Sequence, residues 1–156
     1  MDQIVIFTGT KLHFIIIAIA CIYTLVLVIR RDFTLLHRSL IVLPLAFLTG
    51  KTLSLVINNP RPFVVEGIQP LIEHVPNNGF PSDHMLLVAS IAALVYTQNK
   101  TLGIILAILA LCVGSARVIA NVHHGVDVLG SIFIACIVTS VSIYVTACLN
   151  LNSQKN

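Results

Sequence analysis

Ile104-Ile105-Leu106-Ala107-Ile108-Leu109-Ala110-Leu111 sets eight apolar residues in unbroken succession. A membrane β-barrel strand alternates lipid-facing and lumen-facing residues, so a solid run of this kind marks a helix. Extended outward, the run covers 102–119, close to the roughly 20 residues that a helix needs to cross a hydrocarbon core. Comparable runs lie at 12–29, 39–57, 84–98 and 128–149. The third is short, which leaves open five spans or four with a re-entrant segment. The composition agrees: of 156 residues, 57% are hydrophobic and 10% charged, whereas about a quarter of a soluble domain is charged. The expectation is an all-α, polytopic transmembrane helix bundle of about five spans, forming a single domain over 1–156.

The same composition excludes several classes. Lys and Arg are scattered along the chain, so there is no basic footprint for nucleic acid. Cys21, Cys112, Cys136 and Cys148 all lie in apolar runs without a CxxC pair and read as small packing residues rather than a disulfide framework. Met1-Asp2-Gln3 offers no basic flank and no cleavage site follows, so the first run reads as a retained span. The end, Asn150 to Asn156, is polar and reads as frayed.

Charge divides the connections by side. One group holds Arg30, Arg31, His37, Arg38, Lys100 and Lys155; the other holds the amino terminus, the loop from Asn58 to Pro81 and the segment around His123. Excess Lys and Arg mark the cytoplasmic side. The second group, with Asp2, Glu66, Glu73, Asp83 and Asp127, is therefore expected to face outward.

That outward group holds the polar chemistry. In Ala116-Arg117-Val118-Ile119-Ala120-Asn121-Val122-His123-His124-Gly125-Val126-Asp127, charged and ionisable residues stand between two apolar runs, where they are costly to place. If a helix starts near His123, Asp127 lies one turn on and can hold one imidazole nitrogen, leaving the other free as a nucleophile or base. Arg117 is a positive fork suited to phosphate. The alternatives are an interfacial His/Asp pair that satisfies polar groups, or a metal site joined by His84 or His124; the neighbouring arginines argue against a divalent ion.

In Asn58-Asn59-Pro60-Arg61-Pro62-Phe63, two prolines bracket Arg61 and fix the local backbone. Arg61 either binds phosphate or snorkels to headgroups. Lys51, in the apolar run before it, needs an anionic partner or a route to the interface. In Asn77-Asn78-Gly79-Phe80-Pro81-Ser82-Asp83-His84, Ser82 reads as a helix N-cap and Asp83 as an acidic first-turn residue. Capping accounts for both but leaves His84 unexplained. The amides of a helix amino end also form an anion site that the Ser82 hydroxyl can join, with His84 placed to protonate a leaving oxygen. Glu66, Glu73 and His74 either shape headgroup selection or are solvated loop residues, and the second reading is preferred.

Arg61-Pro62, Pro81-Ser82-Asp83-His84 and Arg117-x5-His123-x3-Asp127 together resemble the three signature motifs of the type-2 phosphatidic acid phosphatase superfamily, in order and at the ends of the appropriate runs. The resemblance covers roughly 45–145. It implies a metal-independent lipid phosphatase with no organic cofactor, working on a polyprenyl or glycerol lipid phosphate held among membrane lipids. His123 would attack phosphorus, Asp127 would orient it, His84 would protonate the leaving group, and Arg61, Ser82, Arg117, Lys51 and Asp83 would form the phosphate site. The family pattern places a lysine seven residues before the Arg-Pro arginine. That position is Ser54 here, with Lys51 one turn earlier. Gly is frequent where this chain has Asp83, and Ser where it has Ala116. Phe80-Pro81-Ser82-Asp83-His84 together with Pro60-Arg61-Pro62-Phe63 is similar to the bacterial undecaprenyl pyrophosphate phosphatase branch, whose members work on the outer face of the cytoplasmic membrane. The resemblance leaves as alternatives a phosphatidate or phosphatidylglycerophosphate phosphatase and a non-catalytic headgroup binder or transporter.

Overall fold

The computed structural model describes residues 1–153, with side chains described through Cys148. Among the described residues seven helices follow one another: α1 (Asp2–Thr10), α2 (Leu12–Ile29), α3 (Thr34–Val56), α4 (Pro62–Glu66), α5 (Asp83–Tyr96), α6 (Lys100–Ile119) and α7 (Gly125–Ser153). No strand occurs among the described residues; the one β-type pairing is a bridge between Pro60 and Asn78. Four segments are long and apolar enough to cross a membrane, namely Asp2–Ile29, Thr34–Val56, Lys100–Ile119 and Gly125–Cys148.

The third expected span, α5, is 14 residues long. It lies at the centre, against α3, α6 and α7, with α2 also touching it. Met85, Leu86, Val88, Ile91, Ala92, Leu94 and Val95 are all buried. A helix that is apolar all round is stable only when covered all round, and the flanking helices provide that cover. Their own outer faces carry exposed Ile22, Leu25, Leu40, Leu48, Ile108 and Phe133. Apolar surface this extensive suits lipid rather than water.

The helix boundaries differ from the sequence reading where polar side chains supply caps. Asp32 Oδ1 accepts the Thr34 N–H at 2.9 Å, and α3 begins there rather than near 39. Asp127 Oδ2 accepts the His124 N–H at 2.8 Å, and α7 starts at Gly125, ahead of the apolar run at 128 but after His123, near which a start was expected. Such bonds satisfy the orphan donors of a first turn. The turn 97–99 is tight because Asn99 Oδ1 caps α6 through the Leu102 N–H at 3.0 Å. At the other end α7 continues through Ser153, past the point expected to fray; Lys155 and the last residues lie outside the described residues. α1 is an element the apolar runs did not announce, and it packs on α6.

The two ends of the bundle are chemically distinct. Arg38 meets Thr97 at 3.1 Å, which places the 30–33 and 97–99 turns at one end. At the other, the loop 57–82 is stitched to the turn after α6: Phe63 N–H donates to the Asn121 carbonyl and Leu71 N–H to that of Ala120. Ile72, Ala120 and Val122 form a small core there, with Val5 of α1 against it.

Candidate active site

His123 is 2% exposed and sits in the turn ahead of α7 rather than within the helix. Its Nδ1 lies 2.9 Å from the Gly79 carbonyl oxygen. A carbonyl only accepts, so Nδ1 carries the proton and Nε2 keeps its lone pair. Nε2 faces two guanidiniums: Arg61 Nη1 at 3.2 Å and Arg117 Nη2 at 3.5 Å.

Asp127 is fully buried in the first turn of α7. Its Oδ2 lies 3.5 Å from His123 Nδ1, farther than the Gly79 oxygen. The sequence assigned the orienting role to Asp127 alone through a one-turn helical spacing. In the folded chain the helix has not yet begun at His123, and a backbone carbonyl shares that role. The carboxylate is held in place by Asn59 Nδ2 at 2.7 Å and by the His124 N–H. Gly79 is tied in turn, its N–H donating to the Asn59 carbonyl at 2.8 Å. A Cβ at Gly79 would come within 3.1 Å of both the Asn59 oxygen and Asp127 Oδ2, so any larger residue must push these two groups aside by a few tenths of an ångström.

Both arginines are buried, at 5% exposure for Arg61 and 2% for Arg117. Arg61 Nε donates to Asn77 Oδ1 at 2.9 Å and its Nη1 to the Val122 carbonyl at 2.7 Å. Arg117 Nη1 donates to the Gly9 carbonyl at 3.2 Å, while its buried Nε finds no partner. Against these two guanidiniums stands one buried carboxylate, Asp127. Desolvating a charge costs several kcal/mol unless it is paired, so the cluster is short of an anion. Burial pulls the Arg61 guanidinium below its ordinary value, with Asp127 and Asp83 opposing. Burial also lowers the His123 imidazole, and the hydrogen bond to Asp127 works against that.

Ser82 stands at the N-cap of α5 without making the side-chain capping bond that this position invites. Its hydroxyl is buried and unpartnered. Its backbone is fixed instead, by its N–H to the Asp127 carbonyl at 3.4 Å and by the Ser131 hydroxyl on its own carbonyl at 3.0 Å. Capping therefore does not account for Ser82. Lys51 finds its anionic partner in Asp83, at 3.0 Å, with both side chains about half exposed. They border a polar cavity of about 230 Å³ that Arg61, Asn77 and Asn78 also line. Ser54, at the position where the family pattern has lysine, accepts from Asn78 Nδ2 through its carbonyl at 2.8 Å. His84 is partly buried, its ring edge-on to His13 with centroids 4.6 Å apart.

Three residues that hold these side chains went unassigned from sequence: Asn59, Asn77 and Gly79. The signal available was a set of amides and a glycine crowding two charged motifs in an otherwise apolar chain. His74 is not a solvated loop residue; its ring stands 6.2 Å from that of His123, and burial, with Arg61 next, lowers its imidazole to about 4. Glu66 and Glu73 are exposed. Among the described residues no group of three His, Cys, Asp or Glu side chains is spaced to hold a metal ion.

The family model described as the PAP2 superfamily matches residues 35–149. The chain belongs to the PAP2 superfamily. Within it, the chain is 37% identical over 86 residues to undecaprenyl-diphosphatase BcrC of Bacillus subtilis, a match covering 55% of this chain and 45% of that protein. It is 35% identical over 91 residues to the bacitracin transport permease protein BcrC of Bacillus licheniformis, covering 58% of this chain and 45% of that one. The chain thus spans about half the length of the curated relatives it matches. Among solved structures, Aquifex aeolicus LpxE superposes with a TM-score of 0.65 at 21% identity, over 92% of this chain and 83% of that one. The transmembrane PAP2-type phosphatidylglycerolphosphate phosphatase of Bacillus subtilis gives 0.57 at 20%, over 94% and 82%. These two likenesses establish that the PAP2 fold is shared.

Proposed function

We propose that this PAP2 protein is a membrane lipid phosphatase that hydrolyses undecaprenyl pyrophosphate to undecaprenyl phosphate and inorganic phosphate through a phosphohistidine at His123. The observation that carries the reading is the imidazole whose Nδ1 is tied to the Gly79 carbonyl while Nε2 faces two buried guanidiniums. An anion entering between them exchanges bonds to a neutral nitrogen for charge-assisted bonds to phosphate oxygens. It also supplies the negative charge that the buried cluster lacks.

In this reaction Nε2 bonds to the terminal phosphorus as the bridging oxygen departs with its electron pair, and His84 gives that oxygen a proton. Water then attacks the phosphohistidine, losing its proton to His84, and phosphate leaves with His123 restored. Arg61, Arg117 and the Ser82 hydroxyl hold the equatorial oxygens, which is where phosphoryl transfer needs stabilisation. Asp127 and Gly79 fix the imidazole and offset its charge as it becomes phosphorylated. Lys51 and Asp83 bound the phosphate entrance as an ion pair. The prenyl chain lies along the apolar cavity of about 460 Å³ that runs from Met85 to Tyr96 beside α6 and α7. The identity to undecaprenyl-diphosphatase favours this lipid, and the charge asymmetry favours a site on the outer face of the cytoplasmic membrane.

Phosphate release by the purified protein, across prenyl and glycerol phosphates in excess chelator, tests the activity. The expected result is preference for the prenyl diphosphate, inhibition by vanadate and a trapped phosphate on His123. Undiminished turnover by His123→Ala would reject the nucleophile. For sidedness, a Gln69→Cys variant should react with an impermeant thiol reagent in intact cells; labelling only after lysis overturns the orientation.

A further inference from the structure

The family match begins at residue 35, yet two groups from earlier in the chain reach the site. Gly9, at the end of α1, accepts from Arg117. Its bare Cα lets α1 approach so closely that an added side chain would meet Ile72 at 2.8 Å. One turn into the bundle, His13 of α2 packs against His84, the two rings at 89° with centroids 4.6 Å apart. His13 is 7% exposed, and its Nδ1 is buried without any hydrogen-bond partner. A buried imidazole nitrogen left unpaired is unfavourable, and an apolar residue would avoid that cost. The site therefore needs explaining by something other than packing of the helix.

We propose that His13 is a positioning residue for His84, its edge-to-face ring contact holding the His84 imidazole where it can protonate the leaving oxygen. The inference rests on the phosphatase reading above and on the acid role of His84 within it. The His84 ring makes no hydrogen bond among the described residues, so ring packing is what the fold provides to orient it. Edge-to-face geometry suits this, because the electron-poor rim of one ring meets the electron-rich face of the other and resists rotation. The helix pair α1–α2 thus contributes to both halves of the chemistry: Gly9 steadies the phosphate-side arginine and His13 steadies the proton donor.

A positioning role for a proton donor leaves a signature that general damage does not. An alkyl leaving group needs the proton, whereas p-nitrophenolate departs without it. The experiment compares a short-chain prenyl monophosphate with p-nitrophenyl phosphate in the full-length protein, for wild type, His84→Ala, His13→Ala, His13→Leu and His13→Phe. The expected result is that His13→Ala and His13→Leu lower kcat on the prenyl phosphate by about 10-fold to 100-fold with KM nearly unchanged. On the aryl phosphate they stay within about threefold of wild type, and His13→Phe, which keeps an aromatic ring, recovers most of the prenyl activity. His84→Ala should show the same selectivity more strongly. Equal losses on both substrates, or wild-type rates for His13→Leu while His84→Ala shows the selectivity, would overturn the inference and leave the phosphatase reading standing. Release from a prenyl diphosphate alone, whose phosphate leaving group has no strict need of a proton, would overturn the inference while the phosphatase reading stands; release from none of the three would remove both.

Discussion

Arginine serves opposite purposes at the two ends of this molecule. Arg30 and Arg31 are exposed in the turn between α2 and α3. Arg61 and Arg117 are buried at the other end, bonded to the carbonyls of Val122 and Gly9 and turned toward one imidazole. An exposed cation is already solvated and has nothing to gain from a ligand beyond a screened attraction. A buried one has given up its water and recovers that loss only from a partner, so it binds an anion strongly and in a fixed place. The contrast is one of solvation, not of residue type.

The contrast breaks most plainly at the proposed nucleophile. His123→Ala should reduce kcat by roughly 10⁴-fold or more without altering detergent-extracted yield; a loss below tenfold would show that the imidazole is not the reacting group. Next in size, Arg61→Lys and Arg117→Lys should each cost about 10²-fold to 10³-fold in kcat/KM, since the charge survives but the fork is lost. Gly79→Ala tests the backbone support. It crowds Asp127 and Asn59 and should lower kcat by about tenfold, whereas an unchanged rate would deny the carbonyl its orienting part.

The pH dependence is a smaller effect with a definite sign. As the proposed nucleophile, His123 must be neutral to attack, and burial lowers it from its usual 6.5. The acid limb of kcat/KM that His123 sets should therefore be centred below 6.5, and one centred at or above 6.5 contradicts the buried setting. His74 goes the same way: at about 4 when folded against 6.5 when unfolded, it takes up protons on unfolding between those values. Stability should thus decline as pH falls through that window, and His74→Asn should flatten the decline in a thermal-melt series. Smallest of all, Arg30→Gln with Arg31→Gln should leave turnover within about twofold.

How much of this was legible in the sequence follows from the same solvation argument. In a chain so apolar, charged and ionisable residues stand out, and Arg61, Arg117, His123 and Asp127 were singled out for that reason, with Ser82 marked by its place at a helix start. The helical runs were equally plain, apart from α1 and the caps that moved the starts of α3 and α7. What stayed hidden was whatever carries no unusual composition. The Gly79 carbonyl is a backbone atom like any other, and Asn59 and Asn77 pass for turn residues until the loop folds back on the turn after α6. His13 was visible as an ionisable residue inside an apolar run, which by itself merits a functional question; its partner lies 71 positions away and only the fold supplies it.

The shortness of α5 carries one more consequence. Fourteen residues rise about 21 Å, against a hydrocarbon layer about 30 Å deep. A helix of that length cannot reach both boundaries. For the proposed lipid phosphatase, a headgroup reaching Ser82 would have to sink toward the tails, and the thickness of the surrounding bilayer would then bear on the rate.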